Sequence, residues 1–203
     1  GHATRPDDMH RSNYEDWMGS VEDAYHLLKG STAHVYLVGL SMGGALALLM
    51  STRLDVRGVV AISTPIALLK DYPLWLIRLL AVFRHYLPKS NDAPDTGWHD
   101  PNAWKDHVSY PQNPIRSVGQ LKELLTRLRS ALPLVKVPTL LIHSRDDTYV
   151  LPENMTRIHA AVGSADKRML WITGSGHVVP RDAARAQVFA AVYDFIQQVD
   201  SKA

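Results

Sequence analysis

The chain has 203 residues, 46% of them apolar, with 22 basic and 20 acidic side chains and a formal net charge of +2. That length suits one globular domain with a sizeable core, and that composition excludes a disordered chain. Mixed, nearly balanced charge gives no case for nucleic acid or an anionic surface as partner, and the absence of Cys rules out a disulfide framework or a thiolate nucleophile.

In chain order, Ser12-Asn13-Tyr14-Glu15 reads as a capping box. Trp17, Val21, Ala24, Tyr25 and Leu28 follow at helical spacing, and Gly30 ends the run. Val35-Tyr36-Leu37-Val38 is a strand signal. Met42 to Ser51 is small and apolar nearly throughout, the pattern of a buried helix. Val56 to Ile62, Pro138 to His143 and Arg168 to Thr173 read as further strands. They lack clean alternation, as expected of parallel strands buried on both faces. Helices are expected over Glu153 to Val162 and Ala184 to Val199. Strand–helix repetition of this kind implies an α/β fold with a mostly parallel sheet.

Between Pro65 and Pro133 the alternation breaks. Leu74 to Phe83 is the longest apolar-rich stretch, but Arg78 interrupts it and it is too short to span a bilayer. No signal peptide is visible, and lack of Cys fits a cytoplasmic location without excluding export. A polar stretch with Pro94, Pro101, Pro111 and Pro114 follows, then a helix over Ser117 to Arg129. The expected organisation is a core part over 1–64, a small helical cap inserted over 65–116, and a second core part over 117–203. Trp75, Leu76, Leu80 and Phe83 are the candidate substrate-binding residues of that cap.

Gly39-Leu40-Ser41-Met42-Gly43-Gly44 follows the first strand and opens the small-residue helix. A G-x-S-x-G sequence between strand and helix is a nucleophile elbow, in which the serine sits on a strained turn above the sheet. Glycines two positions either side relieve collisions with the neighbouring backbone. The helix N-terminus presents free N–H groups to developing negative charge, with Met42 N–H the expected oxyanion donor. No Lys follows the glycines as a phosphate-binding loop would require.

Such a serine needs a base and the base an orienting acid, in the chain order acid then His. The strand ending at His143 runs into Ser144-Arg145-Asp146-Asp147. Asp147 is the preferred acid, whereas Asp146 could tie down the loop or pair with Arg145. His177, in Thr173-Gly174-Ser175-Gly176-His177-Val178, follows the last strand and precedes the last helix, which suits a base. The other nine His residues, His143 among them, lack that position and read mainly as surface or packing residues. Asp182 is placed to cap the final helix. No paired His spacing points to a metal.

These motifs resemble those of the α/β-hydrolase superfamily, and more closely of bacterial carboxylesterases and monoacylglycerol lipases, over nearly the whole chain. In that family a Pro lies five positions after the acid, here Asp147 and Pro152, and the base sits in S-G-H, here Ser175-Gly176-His177. Tyr110-Pro111 and the segment ending at Ser117 resemble the end of the family's cap. The resemblance implies hydrolysis of short to medium acyl esters or monoacylglycerols, without metal or organic cofactor. Gly1-His2-Ala3 resembles the loop after the family's fourth strand. The first strands and the loop donating the second oxyanion N–H therefore have no counterpart here. The strand at Val35 is expected to expose an edge, covered by a missing N-terminal portion or by a second copy in a homodimer. The alternatives kept open are amide or thioester hydrolysis, and a binding protein with a vestigial site.

Overall fold

A capping arrangement one residue away from the expected one sets the first long helix. The computed structural model describes residues 4–89 and 97–202; Gly1-His2-Ala3 and Pro94 lie outside them. Helix α1 (Pro6–Arg11) is opened by its proline and is too short to show a periodicity. Helix α2 (Tyr14–Lys29) is capped by Asn13, whose side chain accepts from Asp16 N–H while the Asp16 carboxylate accepts from Asn13 N–H. Asn and Ser cap about equally well. Here the Ser12 hydroxyl is engaged elsewhere, donating to the Met9 carbonyl and accepting from Trp17 Nε1.

The chain then runs through β1 (Tyr36–Leu40), α3 (Met42–Met50) and β2 (Gly58–Ile62), followed by α4 (Leu74–Phe83), β3 (Tyr86–Pro88), α5 (Pro101–Lys105), β4 (Gln112–Pro114) and α6 (Ile115–Ala131). It closes with β5 (Thr139–Ser144), α7 (Glu153–Ala161), β6 (Lys167–Ile172) and α8 (Arg185–Asp200). Four strands form a parallel sheet in the order β1-β2-β5-β6.

Central strand β2 is buried at every residue, and its alternate side chains serve two layers. Val59 and Ala61 join the core under α3, α6 and α7, with Leu48, Leu124 and Ile158. Val60 and Ile62 join the opposite core under α8, with Ile142, Val188 and Phe195. Each such aliphatic side chain contributes about 1.5–3 kcal/mol by leaving water, so a shift of register by one residue would exchange both cores at once.

The region between β2 and β5 is a helical insertion. Helix α4 packs on α6, where Ile77 lies against Gly119, and α6 in turn packs on α3. The insertion also holds an antiparallel pair, β3 with β4, which the sequence pattern does not foreshadow. Its three-residue strands, each with a proline, are too short to carry an alternation signal.

Among the described residues strand β1 stands at the sheet edge. Val38 is 49% exposed, and apolar grooves flank the strand on both faces. Trp17, Leu28 and Met42 line one, and Phe189, Tyr193 and Ile196 the other. Among the described residues no helix is long and apolar enough to cross a membrane.

Candidate active site

Because all four strands of the main sheet are parallel, the segments after β1, β5 and β6 emerge at one end of it. Ser41 occupies the first of these. It adopts φ 54° and ψ −118°, a backbone region that costs a non-glycine residue about 1–3 kcal/mol. The turn is held by Ser41 N–H donating to the Ile62 carbonyl at 2.8 Å and by Ala45 N–H donating to the Ser41 carbonyl at 3.1 Å. The Ser41 hydroxyl does not cap the helix that it opens.

The glycine requirement is more specific than the motif implies. A Cβ on Gly39 would collide with the Gly43 carbonyl, and one on Gly44 would collide with Thr64 Oγ1. Gly43 itself faces open space. The first turn of α3 thus approaches the end of β1 closely, which demands Gly39, and approaches Thr64 after β2 closely, which demands Gly44. Met42 is the first residue of α3, so its N–H is one of the donors without a partner inside the helix.

Asp147 lies three residues past the end of β5 and is 2% exposed. Its Oδ1 accepts from Tyr149 N–H at 2.9 Å and Val150 N–H at 2.8 Å. Its Oδ2 faces His177 Nδ1 at 2.8 Å. Burial works against the carboxylate's charge, but hydrogen bonds from His143 and His177 outweigh it and hold the carboxyl well below the usual range. With an ionised carboxylate accepting, the proton of the His177 ring sits on Nδ1 and Nε2 is left as the acceptor. Asp146 is exposed and uses its Oδ2 to accept from Gly174 N–H at 2.7 Å, which ties down the loop that carries His177.

Three neighbours of this pair are not apparent in the sequence. His143 is 1% exposed, and its Nε2 lies 2.9 Å from the Val150 carbonyl and 3.3 Å from Asp147 Oδ2. Its i,i+4 spacing from Asp147 was the only available signal. The Tyr149 ring lies 5.0 Å from that of His177 at an interplanar angle of 48°. Asp182 does not cap α8, whose N-cap is Ala184 without a side-chain bond. Its carboxylate instead accepts backbone N–H groups from the His177 loop and from the insertion.

The candidate substrate-binding residues share one helix, α4. Trp75, Leu80 and Phe83 are 67%, 47% and 81% exposed, and Leu76 is half-buried. Only Ile77 of α4 is buried, so the helix keeps a broad apolar surface.

The model of the family described as serine aminopeptidase, S33, matches residues 1–184. A carboxylesterase of Bacillus subtilis (strain 168) is 25% identical over 201 residues, 98% of this chain and 79% of that protein. A thermostable monoacylglycerol lipase of Bacillus sp. (strain H-257) is 28% identical over 196 residues, 96% of this chain and 75% of that protein. Among solved structures, one from work on the metagenome-derived lipolytic enzymes LipS and LipT superposes with a TM-score of 0.84 at 27% identity, covering 98% of this chain and 79% of its own. The Paleococcus ferrophilus monoacylglycerol lipase shares the fold, with a TM-score of 0.75 at 22% identity over 92% of this chain and 76% of its own. The chain belongs to the serine aminopeptidase S33 family, within the α/β-hydrolase superfamily.

Proposed function

We propose that this S33-family chain is a serine carboxylic-ester hydrolase with Ser41 as nucleophile, His177 as base and Asp147 as acid. The observation that carries the reading is the 2.8 Å contact of His177 Nδ1 with the buried Asp147 Oδ2, at the sheet end where Ser41 stands in its strained turn. His177 Nε2 takes the Ser41 proton as Oγ attacks the ester carbonyl, and Asp147 stabilises the imidazolium. Met42 N–H, at the positive end of α3, receives the oxyanion. Collapse of the tetrahedral intermediate breaks the bond to the alkoxide, which leaves as alcohol with the proton from His177. Water, deprotonated by His177, then attacks the acyl-enzyme and releases the carboxylic acid and Ser41.

The substrate class is short to medium acyl esters or monoacylglycerols. The names of the two Bacillus relatives support it, as does the exposed apolar surface of α4. In this reading residues 65–116 are the cap, and Trp75, Leu76, Leu80 and Phe83 meet the acyl chain. A cytoplasmic location is compatible with the cysteine-free composition. The family's description names peptidases, and amide hydrolysis would use the same three side chains.

A fluorophosphonate probe and a series of p-nitrophenyl esters and aminoacyl p-nitroanilides test the reading. The chain should be labelled, Ser41→Ala should not, and esters should be turned over in preference to anilides. Faster anilide cleavage would make it a peptidase, and absence of labelling would make the site vestigial.

A further inference from the structure

Asp182 is a buried carboxylate, 1% exposed, that no step above uses. Its Oδ2 accepts from Gly176 N–H at 2.6 Å, and His99 N–H lies 3.2 Å from the same oxygen. Its Oδ1 accepts from Asp100 N–H at 2.7 Å, Ala183 N–H at 2.8 Å and His99 N–H at 3.0 Å. Donors from three separate segments thus converge on one side chain: the residue before His177, the insertion just ahead of α5, and the turn into α8. Burial in a low-dielectric interior strengthens such hydrogen bonds.

Three further contacts seat the insertion against this loop and the start of α8. A Cβ on Gly176 would collide with the Gly97 carbonyl, so the two backbones touch directly. The Asp100 carboxylate pairs with Arg185 at 2.9 Å, and Arg181 Nη2 donates to the Asp106 carbonyl at 3.1 Å. The other anchors of the His177 loop come from elsewhere. Gly174 is held by Asp146, while Ser175 accepts from Ser144 Oγ through its carbonyl and from Ala184 N–H through its hydroxyl. Asp182 is the side chain that holds the loop and the insertion together.

We infer that Asp182 is a positioning residue that couples the seating of the 97–106 segment to the placement of His177, so that the base is aligned for Ser41 when that segment is docked. The inference rests on the reading of Ser41 and His177 as nucleophile and base. It also explains why an acid is needed here. Asn has one acceptor oxygen, so its amide N–H₂ would face a backbone donor either at Gly176 or at Asp100.

The test is Asp182→Asn in the whole chain, assayed on p-nitrophenyl butyrate beside amide hydrogen exchange. A displaced base reduces turnover without loosening ground-state binding. The expected result is a kcat about 10- to 100-fold lower with KM within about threefold, and faster exchange at both Gly176 and Asp100. Gly97→Ala probes the coupling from the other side, because Gly97 has φ +91°, which Ala adopts only with strain. It should lower kcat in the same direction with Asp182 intact. A folded Asp182→Asn with kcat within twofold of the parent, or a loss confined to KM, overturns the inference. So does Gly97→Ala with unchanged kcat, which also decides the matter if Asp182→Asn does not fold. Failure of the parent chain to take up a fluorophosphonate would instead sink the esterase reading, whatever the exchange rates at Gly176 and Asp100.

Discussion

His143 Nε2 lies 3.3 Å from Asp147 Oδ2, both side chains fully withdrawn from solvent. The same nitrogen is 2.9 Å from the Val150 carbonyl, which accepts and so requires the ring proton on Nε2. Since Val150 N–H also binds Asp147 Oδ1, the histidine and the carboxylate clamp one loop between them. His143→Phe keeps a planar ring, somewhat larger than the imidazole, and removes the donor. Leaving the Val150 carbonyl and one carboxylate lone pair unsatisfied should cost about 1–3 kcal/mol of stability. Turnover should fall about tenfold, because Asp147 is less firmly aimed at His177. Urea unfolding together with ester kinetics checks both, and a variant equal to the parent in both would reduce His143 to filler.

The two adjacent aspartates should separate sharply. Asp147→Asn leaves an amide where His177 Nδ1–H needs an acceptor and favours the wrong tautomer, for a loss of about 10⁴ in kcat. Asp146→Asn retains an oxygen for Gly174 N–H and should cost less than about tenfold. Steady-state kinetics showing the opposite order would move the acid to Asp146.

Stability should fall at both ends of the pH scale. The Asp147 carboxyl is held below its ordinary range, and that of Asp166 at about 2, chiefly by its hydrogen bond from Arg168. A carboxylate with a depressed folded pKa contributes stability that is present above about pH 4, the unfolded value, and lost as pH falls through the folded one. Tyr36 runs the other way. Burial first, then its hydrogen bond to Asp200, raises it to about 12. Its contribution is full below about pH 10 and disappears as pH rises toward that value. Thermal unfolding from pH 2 to 12 should show a plateau between these limbs. Asp166→Asn should flatten the acid limb and Tyr36→Phe the alkaline one.

Trp75 is 67% exposed on α4, free to meet an acyl chain and contributing little to the core. Trp75→Ala should therefore leave stability nearly unchanged and acetyl ester turnover within about twofold. It should also reduce the preference for octanoyl over acetyl esters by about 1–3 kcal/mol of apolar contact, roughly 5- to 150-fold. An unaltered chain-length profile would take Trp75 out of the binding surface.

The open edge of β1 predicts self-association. Among the described residues no strand pairs with its outer side, which two apolar grooves border, and edge strands of this kind recruit other chains. The 203-residue chain should sediment as a dimer or larger species at micromolar concentration. Val38→Lys, at an exposed edge position, should shift it toward monomer, and a parent chain that is monomeric throughout would show the edge to be tolerated.

Much of this protein was decided locally and could be read in order. The elbow is legible because Gly39 and Ser41 answer a steric demand within six residues, whereas the need for Gly44 comes from Thr64, beyond the next strand. The parallel sheet is legible because strands buried on both faces are apolar at successive positions, as Val59 to Ile62 are. His177 and the Asp146-Asp147 pair could be located because each lies a few residues past a strand end, and the choice of Asp147 between the two aspartates rested on the resemblance that Pro152 carries. What escaped the sequence depends on groups far apart in the chain. Asp182 looks like a helix cap beside α8 until the insertion brings His99 and Asp100 to it across more than eighty residues. His143 looks like the buried end of a strand until the Asp147 loop folds back over it. A hydrogen bond is directional and short-ranged, so which donor meets a carboxylate is settled only when packing has placed both. Hydrophobic periodicity, which needs no partner to be recognised, carries no information about that choice.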